Sequence, residues 1–259
     1  MPDIVKESLY PDILFHFTKK EALYQILRTT FKVSYSKEVI IGNNSKREVA
    51  IPMVSFCDLK LTELKNHMSK YGNYGIGLTK KWANRNGLNP VMYINRHCEL
   101  TDNFMNGLNG IYNHLDRLND FDQINRLNKS YTNILSTYQY LKNYEGHLIR
   151  KGKLEDKNYR FADEREWRYV PSLRDTGIQP FIAISNIDTE EKKQSHNQRV
   201  SHLRLSFQPD DIKYLIIEKD EEISELIEHL KNVKGKFDTR TRERLTSRIL
   251  TSDQILSDI

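Results

Sequence analysis

The chain has 259 residues, of which 38% are hydrophobic and 29% are charged, and its formal net charge is +5. This length suffices for a sizeable hydrophobic core. Every apolar run is far shorter than the roughly 20 residues of a membrane-spanning helix, which excludes that class of protein. With only Cys57 and Cys98 present, a disulfide framework is excluded as well, and a reduced compartment is expected.

The sequence shows neither a targeting segment nor a metal-binding motif. Its N-terminus lacks a basic region followed by an apolar one, so we expect no secretory signal and a cytoplasmic location. The cysteines lack metal-type spacing and the eight histidines form no motif such as HExxH, so no metal is expected. The mild positive charge permits a polyanionic partner such as nucleic acid without demanding one.

The first part of the chain alternates predicted strands and helices. Residues 13–18 alternate side chains between two faces and predict a strand, and an amphipathic helix follows it. Residues 32–48 are polar and contain the turn signal GNN, so a loop is predicted there. Further strands are predicted over 49–58, 74–78 and 90–94, and further helices over 61–71 and 80–86.

The segment 100–146 has a different pattern, because apolar residues recur there at helical spacing. The recurring residues are Leu108, Ile111, Tyr112, Leu115, Leu118, Ile124, Leu127, Tyr131, Ile134, Leu135, Tyr138 and Leu141. We predict a helical hairpin inserted between the strands of a single domain that spans residues 1–259. The lysine-rich segment 147–160 is predicted to be a charged linker.

The last third of the chain returns to short strands and ends in helices. A loop is predicted over 172–179 and a flexible polar segment over 185–200. Strands are predicted over 180–184, 202–207 and 212–218, an amphipathic helix around 223–230, and a last helix that carries Arg240, Arg242, Arg244 and Arg248. The chain therefore predicts an α+β fold with a mixed, mainly antiparallel central sheet, an inserted helical hairpin and a C-terminal helix.

The stretch FADEREWRYVP, residues 161–171, carries two acids two positions apart. In a strand, Glu164, Glu166 and Arg168 share one face. Two like charges on a half-buried face repel each other, so the pKa of one acid is expected to rise. The alternative is a salt-bridged strand in which the arginines neutralise the acids.

Several strand-borne residues are candidates for one cleft with these acids. They are His16 and Thr18 on the first strand, Ser55 on the second, and Tyr74 in the glycine-rich stretch YGNYGIGL. Each has a structural alternative: a core histidine, a packed tyrosine, or a serine bonded to backbone. Their order along the chain is what makes the set informative.

Four stretches of the sequence resemble a known family: ILFHFTKKEAL, IPMVSFCDLKL, KYGNYGIGLTKKWANRNGLNPVMYI and FADEREWRYVP. They resemble the AbiGi family of bacterial abortive-infection proteins. The resemblance covers most of the chain apart from the helical insertion. It implies a cytoplasmic role in phage defence, as the antitoxin of a two-gene system that faces a nucleotidyltransferase-like partner protein.

A more distant resemblance concerns chemistry. The order His16-x-Thr18, then Ser55, then Tyr74 with its glycines, and finally the two glutamates, is similar to the mono-ADP-ribosyltransferase fold. That resemblance implies NAD as the substrate and no metal. Here the tyrosine precedes the glycines, which departs from the usual pattern, so Tyr71 is the substitute for Tyr74 as the residue that stacks on nicotinamide.

The same resemblance implies roles for the other residues. Glu166 would stabilise the oxocarbenium-like ribose of the transition state, and Glu164 would orient or deprotonate the acceptor. His16 and Thr18 would bind NAD, and the segments 32–48 and 185–200 would recognise the acceptor.

Three functions therefore stay open. The first is an NAD-dependent effector of phage defence, and the second is a non-catalytic antitoxin or sensor module that binds a partner protein or nucleic acid. The third is a nucleic-acid-binding protein that works through its basic C-terminal helix. The enzyme requires His16 and Glu166 to face one dinucleotide-sized cleft, whereas a Glu166 held by Arg165 or Arg168 favours the module.

Overall fold

The computed structural model describes residues 11–150, 152–172, 178–235 and 237–258. The described strands are β1 (Ile13–Thr18), β2 (Phe31–Lys32), β3 (Ser34–Ile41), β4 (Lys46–Cys57), β5 (Tyr74–Thr79), β6 (Asn89–Pro90), β7 (Met92–Ile94), β8 (Leu141–Asn143), β9 (Gly146–Arg150), β10 (Lys153–Tyr159), β11 (Glu166–Tyr169), β12 (Ile182–Ala183), β13 (Arg204–Leu205), β14 (Ile212–Ile217) and β15 (Ile249–Thr251). The described α-helices are α1 (Lys20–Thr29), α2 (Leu64–Tyr71), α3 (Lys80–Arg85), α4 (Glu99–Leu115), α5 (Phe121–Tyr138), α6 (Glu190–Arg199), α7 (Ile223–Val233), α8 (Thr239–Thr246) and α9 (Ser252–Asp258). Most of the loop predicted over 172–179 lies outside the described residues.

The central sheet confirms the predicted α+β class with mainly antiparallel pairing. Its strand order is β15-β14-β5-β1-β4-β11-β6, and β3 and β12 also pair with β4. Among the described strands of this sheet, only β14 and β15 run parallel to each other. Strand β1 thus lies in the middle, with β5 on one side and β4 on the other.

The glycine-rich strand β5 explains how β1 is held so closely. Gly75 lies opposite Phe17, and Gly77 lies opposite Phe15. A Cβ atom at Gly77 would come within 2.9 Å of the Phe15 ring, and one at Gly75 within 3.0 Å of the Phe17 ring. These two glycines therefore make room for the aromatic side chains of the neighbouring strand.

Alternation along β1 builds a hydrophobic core on each side of the sheet. Leu14 packs on one side with Leu23, Trp82 and other residues of α1, α3 and α7. Phe15 and Phe17 pack on the other side with residues of α2 and α9. The site described below is lined in part by residues of β1 and of the end of β4.

The predicted loop over 32–48 and the predicted flexible segment over 185–200 both contain regular structure. Residues 34–41 form β3, an antiparallel partner of β4, and its Tyr35 and Ile40 are buried. Residues 190–199 form α6, whose Asn197 side chain accepts a hydrogen bond from the Tyr35 backbone N–H at 2.8 Å. Both predictions were wrong. The sequence of α6 contains no apolar residue, β3 lies among polar residues and a turn signal, and contacts with distant parts of the chain stabilise both segments.

Other boundaries also differ from the prediction. The predicted charged linker forms the hairpin β9–β10, and the predicted strand over 202–207 shrinks to β13. The predicted helical hairpin is present as α4 and α5, but its second helix ends at Tyr138. In the tail, Ile249 and Leu250 belong to the parallel strand β15 between α8 and α9. None of the described helices is long and apolar enough to cross a membrane.

Candidate functional site

The candidate site is a cavity of about 180 Å³ that opens where β1 and β4 separate. Among the described residues, β1 and β4 form a single registered pair, Phe15 opposite Cys57. Beyond that pair, the Nδ1 atom of His16 lies 2.8 Å from the carbonyl oxygen of Ser55. The residues that line the cavity are Phe15, His16, Phe17, Glu38, Ser55, Phe56, Cys57, His67, Tyr71, Lys142, Glu164 and Glu166.

The fold brings most of the predicted site residues to this cavity. His16, Ser55, Tyr71, Glu164 and Glu166 all line it. These residues come from β1, β4, α2, a short 3-10 turn and β11. Residues far apart in the sequence therefore meet in one place.

Thr18 and Tyr74 do not belong to this set. They lie opposite each other at the far ends of β1 and β5. The Tyr74 hydroxyl lies 2.8 Å from Glu222 Oε1 and 3.2 Å from Glu218 Oε2, so its ring points to the layer that contains α7. Gly72, with φ at 110°, turns the chain between Tyr71 and Tyr74 and separates the two rings. The expectation that Thr18 and Tyr74 share the cleft is therefore wrong.

Strand alternation is not what directs Glu164 and Glu166 into the cavity. Residues Phe161–Glu164 form a 3-10 turn, and the strand begins only at Glu166. Between them, Arg165 has a φ of 44°, in the left-handed region that few non-glycine residues adopt. Glu164 at the end of the turn and Glu166 at the start of the strand lie on either side of this kink, and both carboxylates are buried at the same cavity.

Both carboxylate oxygens of Glu166 are engaged by other side chains. Oε1 accepts hydrogen bonds from Ser55 Oγ at 2.9 Å and from Arg168 Nε at 2.7 Å. Oε2 accepts one from Lys142 Nζ at 2.6 Å. Burial alone would raise the pKa of Glu166, but Arg168 and Lys142 outweigh it and hold the pKa well below its usual value.

The acid with the raised pKa is Glu38, which sequence reasoning missed. Burial raises its pKa, and the cations Arg168 and Lys142 offset this only in part. Its Oε1 accepts from Arg168 Nη2 at 2.6 Å. The expected repulsion thus acts in a cluster of three acids, Glu38, Glu164 and Glu166, and Glu166 itself stays ionised.

Lys142 and Arg168 hold the three acids together. The Nζ atom of Lys142 lies 2.6 Å from Glu166, 3.6 Å from Glu164 and 4.0 Å from Glu38. Arg168 has no exposed surface, and its Nη1 also donates to the backbone oxygen of Gln139 at 2.9 Å. Lys142 lies on β8, directly after the helical hairpin, where no local pattern in the sequence singles it out.

Glu164 is bound by two tyrosines. The hydroxyls of Tyr71 and Tyr159 both donate to its Oε1 atom, the latter at 3.0 Å. Burial and the neighbouring carboxylate raise the pKa of Tyr71, so its hydroxyl stays protonated and donates. The Tyr71 ring stacks on His67 at 4.3 Å, and the guanidinium of Arg150, on the β9–β10 hairpin, lies 4.1 Å from its centre.

Both histidines of the cavity are neutral at pH 7. Burial lowers the pKa of His16, and burial together with nearby cations lowers the pKa of His67 to about 3. Because the Ser55 carbonyl can only accept, Nδ1 of His16 carries the proton and Nε2 presents a lone pair. His16 therefore offers a hydrogen-bond acceptor.

A second, larger cavity of about 490 Å³ adjoins the first one and shares His67 and Glu164 with it. Its walls come from α2, the residues around Asp163 and Tyr159. Ligand sites in proteins usually measure about 300–1,000 Å³. The first cavity alone is therefore too small for a dinucleotide, which would need both.

The basic residues of the C-terminal region make contacts within the protein. Arg244 pairs with Asp210, and Arg248 donates to the backbone oxygen of Ile212. Arg242 donates to Thr239 Oγ1 at 3.2 Å. Within the described parts of the chain, no cluster of side chains has the arrangement of a metal site.

Comparison with known proteins identifies the family. Residues 29–218 match the profile of a family described as "Putative abortive phage resistance protein AbiGi, antitoxin". The chain belongs to the AbiGi family. The abortive phage resistance protein AbiGi of Lactococcus lactis subsp. cremoris is 30% identical over 236 residues, which cover 83% of this chain and 92% of that protein.

Membership in the AbiGi family confirms the resemblance to abortive-infection proteins and supports a role in phage resistance. No solved structure matches the chain significantly. The likeness to the ADP-ribosyltransferase fold therefore stays a prediction, as does NAD as a substrate.

Proposed function

We propose that this AbiGi protein is the antitoxin of a two-gene abortive-infection system and that its cavity binds a ligand without chemical turnover. The description of the family as an antitoxin supports this role and implies a partner protein. The single observation that carries the non-catalytic part is the state of Glu166. Both of its oxygens accept hydrogen bonds from Ser55, Arg168 and Lys142.

The energetic argument concerns what a catalytic carboxylate must do. To stabilise a developing positive charge, Glu166 would have to face the substrate and give up part of its contact with Lys142 or Arg168. Removing one partner of a buried ion pair typically costs about 3–5 kcal/mol. A carboxylate bound in this way is suited to hold a fixed architecture.

The test is neutralisation of the partner toxin in bacteria that express both proteins. We expect wild type and Ser55→Ala to restore growth equally, because the loss of one hydroxyl leaves the charged contacts of Glu166 in place. Ser136→Ala, on the exposed side of α5 and outside both cavities, is the matched control. Failure of the wild-type chain to restore growth would refute the antitoxin role, and selective failure of Ser55→Ala would refute the non-catalytic one.

A second candidate function is cleavage of the nicotinamide–ribose bond of NAD. It is favoured by the convergence of five predicted site residues on one cavity, and by the Ser55 hydroxyl that orients Glu166. In that reaction the C1′–N bond breaks and nicotinamide leaves with the bonding electrons. A hydroxyl or amine acceptor forms the new bond to C1′ and loses its proton to Glu164, while Glu166 stabilises the ribosyl cation.

This second candidate predicts release of nicotinamide from NAD by the purified protein. Ser55→Ala should then lower the rate by about two to three orders of magnitude, as when a group that supports a catalytic charge is removed. No release above the rate without protein, for wild type at high protein concentration, would eliminate this candidate and leave the antitoxin role intact.

A further inference from the structure

Several hydrogen-bond donors of the small cavity are directed at its own acids. Lys142, Ser55 and Tyr71 each direct a proton to Glu164 or Glu166. Arg168, just behind the wall, donates to Glu166 and Glu38. A ligand that needs donors from the protein therefore finds few of them.

Acceptors, in contrast, remain available. Nε2 of His16 presents a lone pair, since Nδ1 holds the proton. The second carboxylate oxygen of Glu38 receives no hydrogen bond from the described residues, and Glu164 Oε2 has only the distant Lys142 Nζ at 3.6 Å. The cavity is thus suited to a ligand that donates hydrogen bonds.

The charge balance favours a cation. Three carboxylates, those of Glu38, Glu164 and Glu166, face two cations, Lys142 and Arg168, and the two histidines are neutral. The further cation near the cavity, Arg150, is paired with Glu155 at 3.5 Å. Full ionisation leaves one excess negative charge in a buried place. A monovalent cation that enters would neutralise it.

The volume sets the size of the ligand. A cavity of 180 Å³ corresponds to about six water molecules at the volume per molecule of the liquid. That matches the guanidinium and methylene groups of one arginine side chain. The adjoining 490 Å³ cavity, which shares His67 and Glu164, leaves room for the backbone that carries such a side chain.

We propose that this cavity receives the guanidinium group of an arginine side chain from the partner protein. The inference rests on the proposed antitoxin function, because it treats the cavity as a contact site for the partner. Glu38, Glu164 and His16 line the same cavity, and the planar fork of N–H donors of a guanidinium can bond several acceptors at once, which the single point charge of a lysine matches less well.

The experiment titrates the purified full-length protein with small probes and follows binding by NMR chemical shifts. The probes are the blocked amino acids N-acetyl-arginine amide, N-acetyl-lysine amide and N-acetyl-citrulline amide, the last being a neutral analogue of nearly the same shape. We expect the arginine probe to bind at least about tenfold tighter than the citrulline probe, as loss of a buried charge contact predicts. Equal binding of both probes, or no binding of any, would overturn the proposal.

Variants locate the bound probe. Glu38→Gln should weaken binding of the arginine probe by about tenfold, because it removes the excess charge. Glu48→Gln, at an exposed position on β4, the strand paired with β3, should leave binding of the probe unchanged. Circular dichroism confirms that both variants are folded, and unchanged affinity in a folded Glu38→Gln protein would refute the assignment.

A pentapeptide with arginine between glycines separates the two sources of a guanidinium group. If a protein delivers the side chain, the peptide should bind at least as tightly as the blocked amino acid. Free arginine is tested beside them, and binding of free arginine alone would point to a metabolite and refute the partner contact. If the protein neutralises the toxin but binds none of the probes, the arginine contact is refuted and the antitoxin role is not. Probe binding without neutralisation would remove the antitoxin role.

Discussion

Arg168 and Glu166 are two positions apart on one strand, and the Nε atom of the first donates to Oε1 of the second at 2.7 Å. The same guanidinium bonds Glu38, 130 positions away along the chain, and the backbone oxygen of Gln139. Arg168 therefore joins β11, β3 and the end of the helical hairpin at a point that water does not reach.

Arg168→Met is expected to destabilise the fold strongly. It retains most of the side-chain volume but leaves Glu166 and Glu38 without their shared partner in a buried place. The free energy of unfolding should fall by about 3–5 kcal/mol, as measured when one member of a buried ion pair is removed. Urea denaturation checks this, with Arg204→Met at an exposed position as the control. A loss below about 1 kcal/mol would mean that the acids find other partners.

His67 should make the fold sensitive to acid. Its pKa is lowered to about 3 in the folded protein from 6.5, so the unfolded chain binds the proton more readily between these values. Stability contributed by the neutral imidazole is complete above pH 6.5 and is lost as the pH falls toward 3, by at most about 1.4 kcal/mol per pH unit.

His67→Gln should reduce this dependence. The urea midpoint of the variant is expected to fall less steeply than that of wild type between pH 6.5 and 5. His114→Gln, at an exposed site on α4, should follow the wild-type curve. Parallel curves for wild type and His67→Gln would show that other groups carry the acid sensitivity.

Glu38 should give stability the opposite dependence on pH. Its pKa is raised in the folded state, so the folded protein binds this proton more tightly than the unfolded chain does. Wild type therefore loses stability relative to Glu38→Gln as the pH rises from about 4.5 through the raised pKa. Arg168, Lys142, Glu164 and Glu166 surround the group and remain in both proteins. A difference in unfolding free energy that is constant between pH 4.5 and 7 would contradict the raised pKa.

A pair of glycine substitutions tests the packing of the central strands. Gly77→Ala places a Cβ atom 2.9 Å from the Phe15 ring and should destabilise the fold by about 1–3 kcal/mol. Gly107→Ala lies in α4 with no neighbour within 4 Å and should stabilise it by about 0.5–1 kcal/mol. Thermal unfolding of both variants checks the opposite signs. Similar shifts for the two would show that the close approach of β1 and β5 is not what requires Gly77.

Local pattern was sufficient to predict β1, β14 and the two helices of the insertion, because their apolar residues repeat with one period over several positions. It also placed His16, Ser55 and Glu166 on strands that meet. Their convergence followed from the order of the strands, which a resemblance to another fold suggested. Tyr71 lies in the cavity because a helix, and not the glycine-rich strand, supplies the aromatic ring.

Glu38 and Lys142 could not be predicted in the same way. Glu38 lies in a segment whose polar residues and turn signal predicted a loop, and its role comes from an arginine 130 positions later. Lys142 follows the insertion, and its position depends on how α5 returns to β8. Such contacts are set by the assembled sheet, so a single sequence carries no local sign of them.

The return of the chain from α5 limits where the insertion can be cut. Only three residues separate the last helical residue, Tyr138, from Lys142. The backbone oxygen of one of them, Gln139, accepts a hydrogen bond from Arg168. A shortened protein that loses the two helices must therefore splice before Gln139. A splice even a few residues later would delete the ammonium group on which three carboxylates converge.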